Sequence, residues 1–162
     1  MKLKTIAAAS AVALTALSSQ ASTFELGAHD PLEVGGSLVS GSFFDIYKFS
    51  LSQASVLISG ATTAFGGAPI LGGGYTLYSY GSDGLFGTAD DVGLGAWTFS
   101  VGNVASLAAG NYYYSVSGWA NGVSGYNFSS AAAPVPEPET YALLAAGLGI
   151  VGFVAARRRR DF

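Results

Sequence analysis

Between residues 42 and 51 the chain alternates with a period of two. Phe43, Asp45, Tyr47, Phe49 and Leu51 fall on one side, and Ser42, Phe44, Ile46, Lys48 and Ser50 on the other. That is the pattern of a strand with one buried face. The same reading gives strands at residues 55–60, 75–80, 96–101, 111–119 and 126–129. Tyr75 and Leu77 share an inward face in the third segment. Trp97, Phe99 and Val101 share one in the fourth, and Tyr112, Tyr114 and Val116 one in the fifth. Gly-rich punctuation separates the segments at residues 66–67, 72–74, 102–103, 110–111 and 121–122. No stretch between residues 22 and 136 carries a helical stripe of useful length. Six or more short strands with turn signals between them predict an all-β fold, a single antiparallel β-sandwich of jelly-roll type.

The two ends follow a different pattern. Lys2 and Lys4 precede a run of Ala, Val and Leu over residues 6–17, too short to span a bilayer core of roughly 30 Å. Ser19 and Ala21 then place small residues at −3 and −1, which predicts a signal helix cleaved after Ala21. At the other end, Pro136-Glu137-Pro138 is followed by an uncharged apolar run from Tyr141 to Ala156, then Arg157, Arg158, Arg159 and Arg160. The run would rise about 24 Å as a helix. Arg stems reaching the interface would extend it, which predicts a C-terminal transmembrane helix. Four Arg after the span predict that this end stays in the cytoplasm as a stop-transfer signal. The chain thus divides into a signal peptide (1–21), an exported β-sandwich domain (22–133) and a sorting tail (134–162).

Pro-Glu-Pro, an apolar span and a terminal Arg cluster, in that order at the extreme C-terminus and paired with a leader at the other end, resemble the PEP-CTERM protein-sorting tail of Gram-negative bacteria. The resemblance implies a substrate of an exosortase, a membrane-embedded transpeptidase-like protease acting at Pro136, Glu137 and Pro138. It implies a precursor anchored in the cytoplasmic membrane with its C-terminus inside. The mature form would be secreted or held at the cell surface, in bacteria that make exopolysaccharide, biofilm or floc. The Phe43-x-Asp45-x-Tyr47-x-Phe49 segment is similar to the opening strand of the FxDxF group of such proteins. Residues 107–114 with residues 124–128 resemble the final hairpin of bacterial pre-peptidase C-terminal sandwiches. These two likenesses imply an accessory, non-catalytic domain.

Composition sharpens this picture once the ends are set aside. The whole chain of 162 residues has a formal net charge of −3. Residues 22–136 hold Glu25, Asp30, Glu33, Asp45, Asp83, Asp90 and Asp91 against the single base Lys48, a net of −6. An acidic middle argues against nucleic acid as a partner. The absence of Cys excludes a disulfide framework, an Fe–S cluster and a Cys nucleophile. A catalytic triad would have to use the one His, His29, and no Gly-x-Ser-x-Gly elbow exists. The chain is therefore read as not an enzyme.

Two features carry candidate chemistry. Asp45 shares the inward face of Phe43, Tyr47 and Phe49. A carboxylate there needs donors or a cation, so it either caps backbone N–H groups at the rim or ligates a metal. Asp83, Asp90 and Asp91 crowd one loop with Gly84 and Gly87. They either form a solvated turn or wrap oxygen ligands around calcium, the one cofactor the sequence suggests. Tyr78, Tyr80, Tyr113 and Trp119 are read as covering a second face of the core, with a sugar-stacking platform as the alternative. The expected function is a structural component of the cell surface or exopolysaccharide matrix. The alternative is a calcium-dependent or aromatic-platform carbohydrate-binding module.

Overall fold

The computed structural model describes residues 19–64, 67–136 and 138–158. The signal-peptide run of residues 1–18 lies outside the described residues, as do Glu137, Arg159 and Arg160. Among the described residues eight strands form in chain order: β1 (Ser19–Gln20), β2 (Thr23–Ala28), β3 (Leu32–Leu51), β4 (Ser55–Thr63), β5 (Ile70–Ser79), β6 (Val92–Thr98), β7 (Asn103–Leu107) and β8 (Gly110–Pro134). A helix, α1 (Pro138–Arg158), follows them.

All eight strands belong to one hydrogen-bonded sheet. β8 is its axis. One edge of β8 pairs antiparallel with β3, from Leu32 opposite Ala131 to Leu51 opposite Gly110. The other edge is shared: β5 takes residues 112–120 and β4 takes residues 126–134. β6 extends from β5, and β7 from β4. β1 and β2 lie parallel against β3.

A straight strand cannot account for the core. Tyr114 and Phe128 sit fourteen residues apart on β8, which would separate them by roughly 46 Å at about 3.3 Å per residue. Their ring centroids are 4.8 Å apart. β8 therefore doubles back, and β3 doubles back with it. The bend falls where the β3–β8 register shifts between Val39 and Gly41, because a bulge bends the bulged strand and increases its twist. The two halves then meet through stacked rings. Tyr47 lies 5.0 Å from Phe128, Phe43 lies 5.3 Å from Tyr126, and Phe49 lies 5.4 Å from Tyr114. Leu57, Leu77, Val116 and Tyr75 complete the buried cluster. Gly35 is required at this crossing, since a Cβ there would run into the ring of Tyr47.

Most of the expected faces are the observed ones, but Val101 departs: it is exposed and lies beyond β6, which ends at Thr98, and Trp97 and Phe99 are half-buried. Phe43, Asp45, Tyr47, Phe49 and Leu51 are all buried, as are Tyr75, Leu77, Tyr112, Tyr114, Val116, Tyr126 and Phe128. The all-β class is observed, while a jelly roll of two separate sheets is not confirmed: the described strands form one open sheet, because β3 and β8 run unbroken through the bend. Residues 121–122, read as a turn, lie inside β8, and residues 72–74 lie inside β5, where the register shifts between Leu71 and Gly74.

Among the described residues no helix is long and apolar enough to cross a membrane. The run from Tyr141 to Ala156 is helical as expected, but a membrane crossing is not confirmed.

Candidate functional site

The sorting segment is built at the junction of sheet and helix. β8 ends at Pro134, and the Val135 N–H donates to the Ala54 carbonyl at 2.9 Å, fixing the exit point. Pro136 is exposed. Pro138 opens α1, where its missing N–H costs nothing because the first turn has no intrahelical acceptor for it. Glu139 stands in the first turn of α1, and Arg157 and Arg158 in the last. Both signs complement the helix dipole. Leu143, Leu144, Leu148, Ile150, Val151 and Phe153 are exposed on every side of the helix. A helix that is apolar all round needs an apolar surrounding, and the sheet does not supply one. Of the expected motif, the structure thus places Pro136 and Pro138 at the junction and Arg157 and Arg158 at the far end.

The acidic loop joins β5 to β6. Its three carboxylates are aimed at the loop itself. Asp90 Oδ1 accepts from the Thr88 hydroxyl at 2.6 Å, and Oδ2 accepts from the Ser82 hydroxyl at 3.0 Å and the Asp83 N–H at 3.1 Å. Those donors favour the charged form and hold the Asp90 carboxyl down to about 2. Asp83 Oδ1 accepts from the Leu85 N–H at 2.8 Å and stands 3.3 Å from the Thr88 oxygen, whose proton goes to Asp90. Asp91 accepts from the N–H groups of Gly81 and Gly87, and from the Tyr113 hydroxyl at 3.0 Å. Burial, helped by the Asp91 carboxylate, pushes the Tyr113 phenol well above its ordinary range. Gly84 and Gly87 have φ of 66° and 78°, supplying the curvature. Among the described residues no group of three or more His, Cys, Asp or Glu is placed to hold a metal ion. Asp83, Asp90 and Asp91 accept from donors of the loop and from Tyr113, the arrangement of the turn reading.

The tyrosines of the outer face are turned toward one another. Tyr78 stacks on Tyr113 at 4.8 Å, and Phe86 packs edge-on to Tyr113 at 4.8 Å. Lys48 Nζ sits 4.2 Å above the Phe86 ring and 2.7 Å from Glu25. Tyr113 is buried. The set is a second small core roofed by the acidic loop. Trp119 is exposed and stands apart from it. Phe86, absent from the residues expected on this face, joins it from the loop. Its signal was a lone aromatic in an acidic loop, which needs a partner to be held.

Asp45 is 1% exposed. Its Oδ1 accepts from the Ser22 N–H at 2.9 Å, and its Oδ2 accepts from the Tyr126 hydroxyl at 2.6 Å. Tyr126 in turn stands 2.8 Å from the Tyr47 hydroxyl. Since Tyr126 donates to Asp45, its oxygen receives the Tyr47 proton, and the chain Tyr47–Tyr126–Asp45–Ser22 has one donor for each acceptor. Burial first, and then bonding to Asp45, raises the Tyr126 phenol far above its ordinary value; burial likewise raises Tyr47. Asp45 does cap a backbone N–H, as one of the two readings held, but from inside the core rather than at its rim. His29 Nε2 lies 2.9 Å from Ser130 Oγ, while Nδ1 meets the Asp30 carbonyl. Ser130 is buried at 1% exposure, so that hydroxyl presents no surface to a substrate.

A known structure shares the fold. A periplasmic inhibitor of g-type lysozyme from Aeromonas hydrophila superimposes at a TM-score of 0.52 and 6% identity, over 72% of this chain and all of that one. The pre-peptidase C-terminal domain of a Bacillus anthracis collagenase aligns at 0.45 and 17% identity, over 67% of this chain and 93% of its own. No curated protein sequence matches the chain. Residues 134–160 match the PEP-CTERM protein-sorting motif. The chain is thus a protein that carries a PEP-CTERM sorting tail behind a β-sheet domain.

Proposed function

We propose that this is a non-catalytic exported protein with a structural role at the cell surface or in the extracellular polysaccharide matrix. An exosortase processes its tail at Pro136-Glu137-Pro138. The leader takes the chain out of the cytoplasm and is removed after Ala21. The tail then holds the precursor at the cytoplasmic membrane, with the Arg cluster inside. The observation that carries this reading is the sorting motif over residues 134–160. Two features support it. Pro136 is exposed where the chain leaves β8, and the helix beyond it offers apolar side chains that nothing in the sheet covers. The acidic middle, with one Lys, suits a hydrated matrix. Neither the self-stacked tyrosines nor the self-satisfied loop carboxylates favour a carbohydrate-binding module.

The test is to replace Pro136, Glu137 and Pro138 by Ala and follow the chain in cells with and without an exosortase. The proposal expects a shortened product only with the native motif and the enzyme together, and a full-length membrane-bound form otherwise. Tail loss that continues in the triple-Ala chain would refute it.

A further inference from the structure

Asp45 is a buried carboxylate whose two donors, the Ser22 N–H and the Tyr126 hydroxyl, are both neutral. Such a group is costly without a counter-charge. Among the described residues the recorded ion pair is Lys48 with Glu25, and it does not involve Asp45. One of the two donors, however, is the nitrogen of the residue that follows Ala21. Hydrolysis of the Ala21–Ser22 amide by one water yields a carboxylate on Ala21 and an ammonium on Ser22, with atoms and charge in balance. We propose that Asp45 is the receptor for this new α-ammonium, so that leader removal turns a neutral hydrogen bond into an ion pair at the core. The inference rests on cleavage after Ala21.

The geometry needed is in place before cleavage. The Ser22 carbonyl accepts from the Ile46 N–H at 2.8 Å, and Thr23 opens β2 opposite Ile46. Ser22 is therefore also held from its C-terminal side, by contacts that cleavage leaves intact. Of the described strands, cleavage removes the two-residue β1 alone. An ammonium carries three donors. One stays on Asp45 Oδ1 and the others reach water, because Ser22 itself is exposed. Asp45 Oδ2 keeps its bond from Tyr126. The titratable groups gathered at the site are Asp45 and Tyr47 from β3 and Tyr126 from β8. A backbone amine captured by fixed acceptors is a known recognition mode; here the captor and the captive are one chain.

The experiment uses the leaderless chain, residues 22–162, in mild detergent. N-terminal sequencing of the exported product comes first. Thermal unfolding then compares chains that begin with a free Ser22 amine, with Ala21 retained, or with Ser22 Nα-acetylated, each with Asp45 or D45N. The expected results are a Ser22 start, and a Tm several degrees higher for the free-amine chain than for the other two. That advantage disappears in D45N. Pairing raises the amine's pKa above its unfolded value. The advantage is therefore full below the unfolded pKa and fades as pH rises through the folded one. This second readout serves if D45N does not fold. A start other than Ser22 overturns the inference through its premise. A Ser22 start with equal Tm in all three Asp45 chains, or an advantage that does not fade with pH, overturns the ion pair itself and leaves the sorting reading standing.

Discussion

Replacing Tyr126 by Phe removes a single oxygen, and the structure says which two groups lose by it. Asp45 Oδ2 loses a 2.6 Å bond, and the Tyr47 hydroxyl loses its acceptor at 2.8 Å. A hydrogen bond to a charged group contributes about 1.5–3 kcal/mol, and an orphaned buried hydroxyl costs about 1 kcal/mol or more. Water compensates poorly where Asp45, Tyr47 and Tyr126 are each about 1% exposed. The expected loss is therefore about 3 kcal/mol, or a fall in Tm of at least roughly 10 °C for a domain of this size. Tyr112→Phe is the matched control, since its hydroxyl donates only to the neutral Ala108 carbonyl at 3.0 Å. That variant should cost about 1 kcal/mol. Urea unfolding followed by the fluorescence of Trp97 and Trp119, with an unchanged m-value, gives both numbers. Coupling provides an internal check, because Y126F should cost less when Asp45 is already Asn. If Y126F costs no more than Y112F, the Tyr47–Tyr126–Asp45 chain does not support the core and the reasoning fails.

Four further outcomes follow from the same geometry. Gly35→Ala should destabilise by about 1–3 kcal/mol, because its Cβ would overlap the Tyr47 ring and overpacking forces side chains aside; an unchanged urea midpoint would show that the layers are not in contact there. The Asp90 carboxyl should titrate near 2 by NMR. A lowered pKa means that its contribution to stability is present above about 4 and is lost as pH falls through that folded value; a midpoint near 4 would show that the loop bonds are not formed. Millimolar calcium, or its removal by chelator, should leave Tm unchanged, since the loop carboxylates are already bonded; a rise of several degrees with calcium would restore the metal site. Replacing Arg157, Arg158, Arg159 and Arg160 by Ser should shift the precursor out of the membrane fraction on carbonate extraction, and an unaltered distribution would remove the stop-transfer role.

The local part of the fold was legible because it obeys a local rule. Period two assigned the buried faces of β3, β5 and β8 correctly, down to Asp45 on the inward side. Continuity was not legible. Residues 121–122 carry a strong turn signal, yet β8 passes through them, because β3 pairs with it on both sides of the bulge and a long-range ladder outweighs a local preference. The parallel attachment of β1 and β2 has no sequence signature either; their register is set by β3, more than twenty residues away. In the loop, the clustering of Asp83, Asp90 and Asp91 was plain, but whether the carboxylates faced inward or outward depended on the positions of Ser82, Thr88 and Tyr113, which composition does not order. The sorting tail was the most legible element, since its information lies in residue order rather than in packing.

The most direct test is the intact mass of the protein recovered from the surface or medium of cells that contain an exosortase. The account predicts a chain that starts at Ser22 and ends near Pro136-Glu137-Pro138, without the Arg cluster. A mass corresponding to Met1 through Phe162 would contradict it.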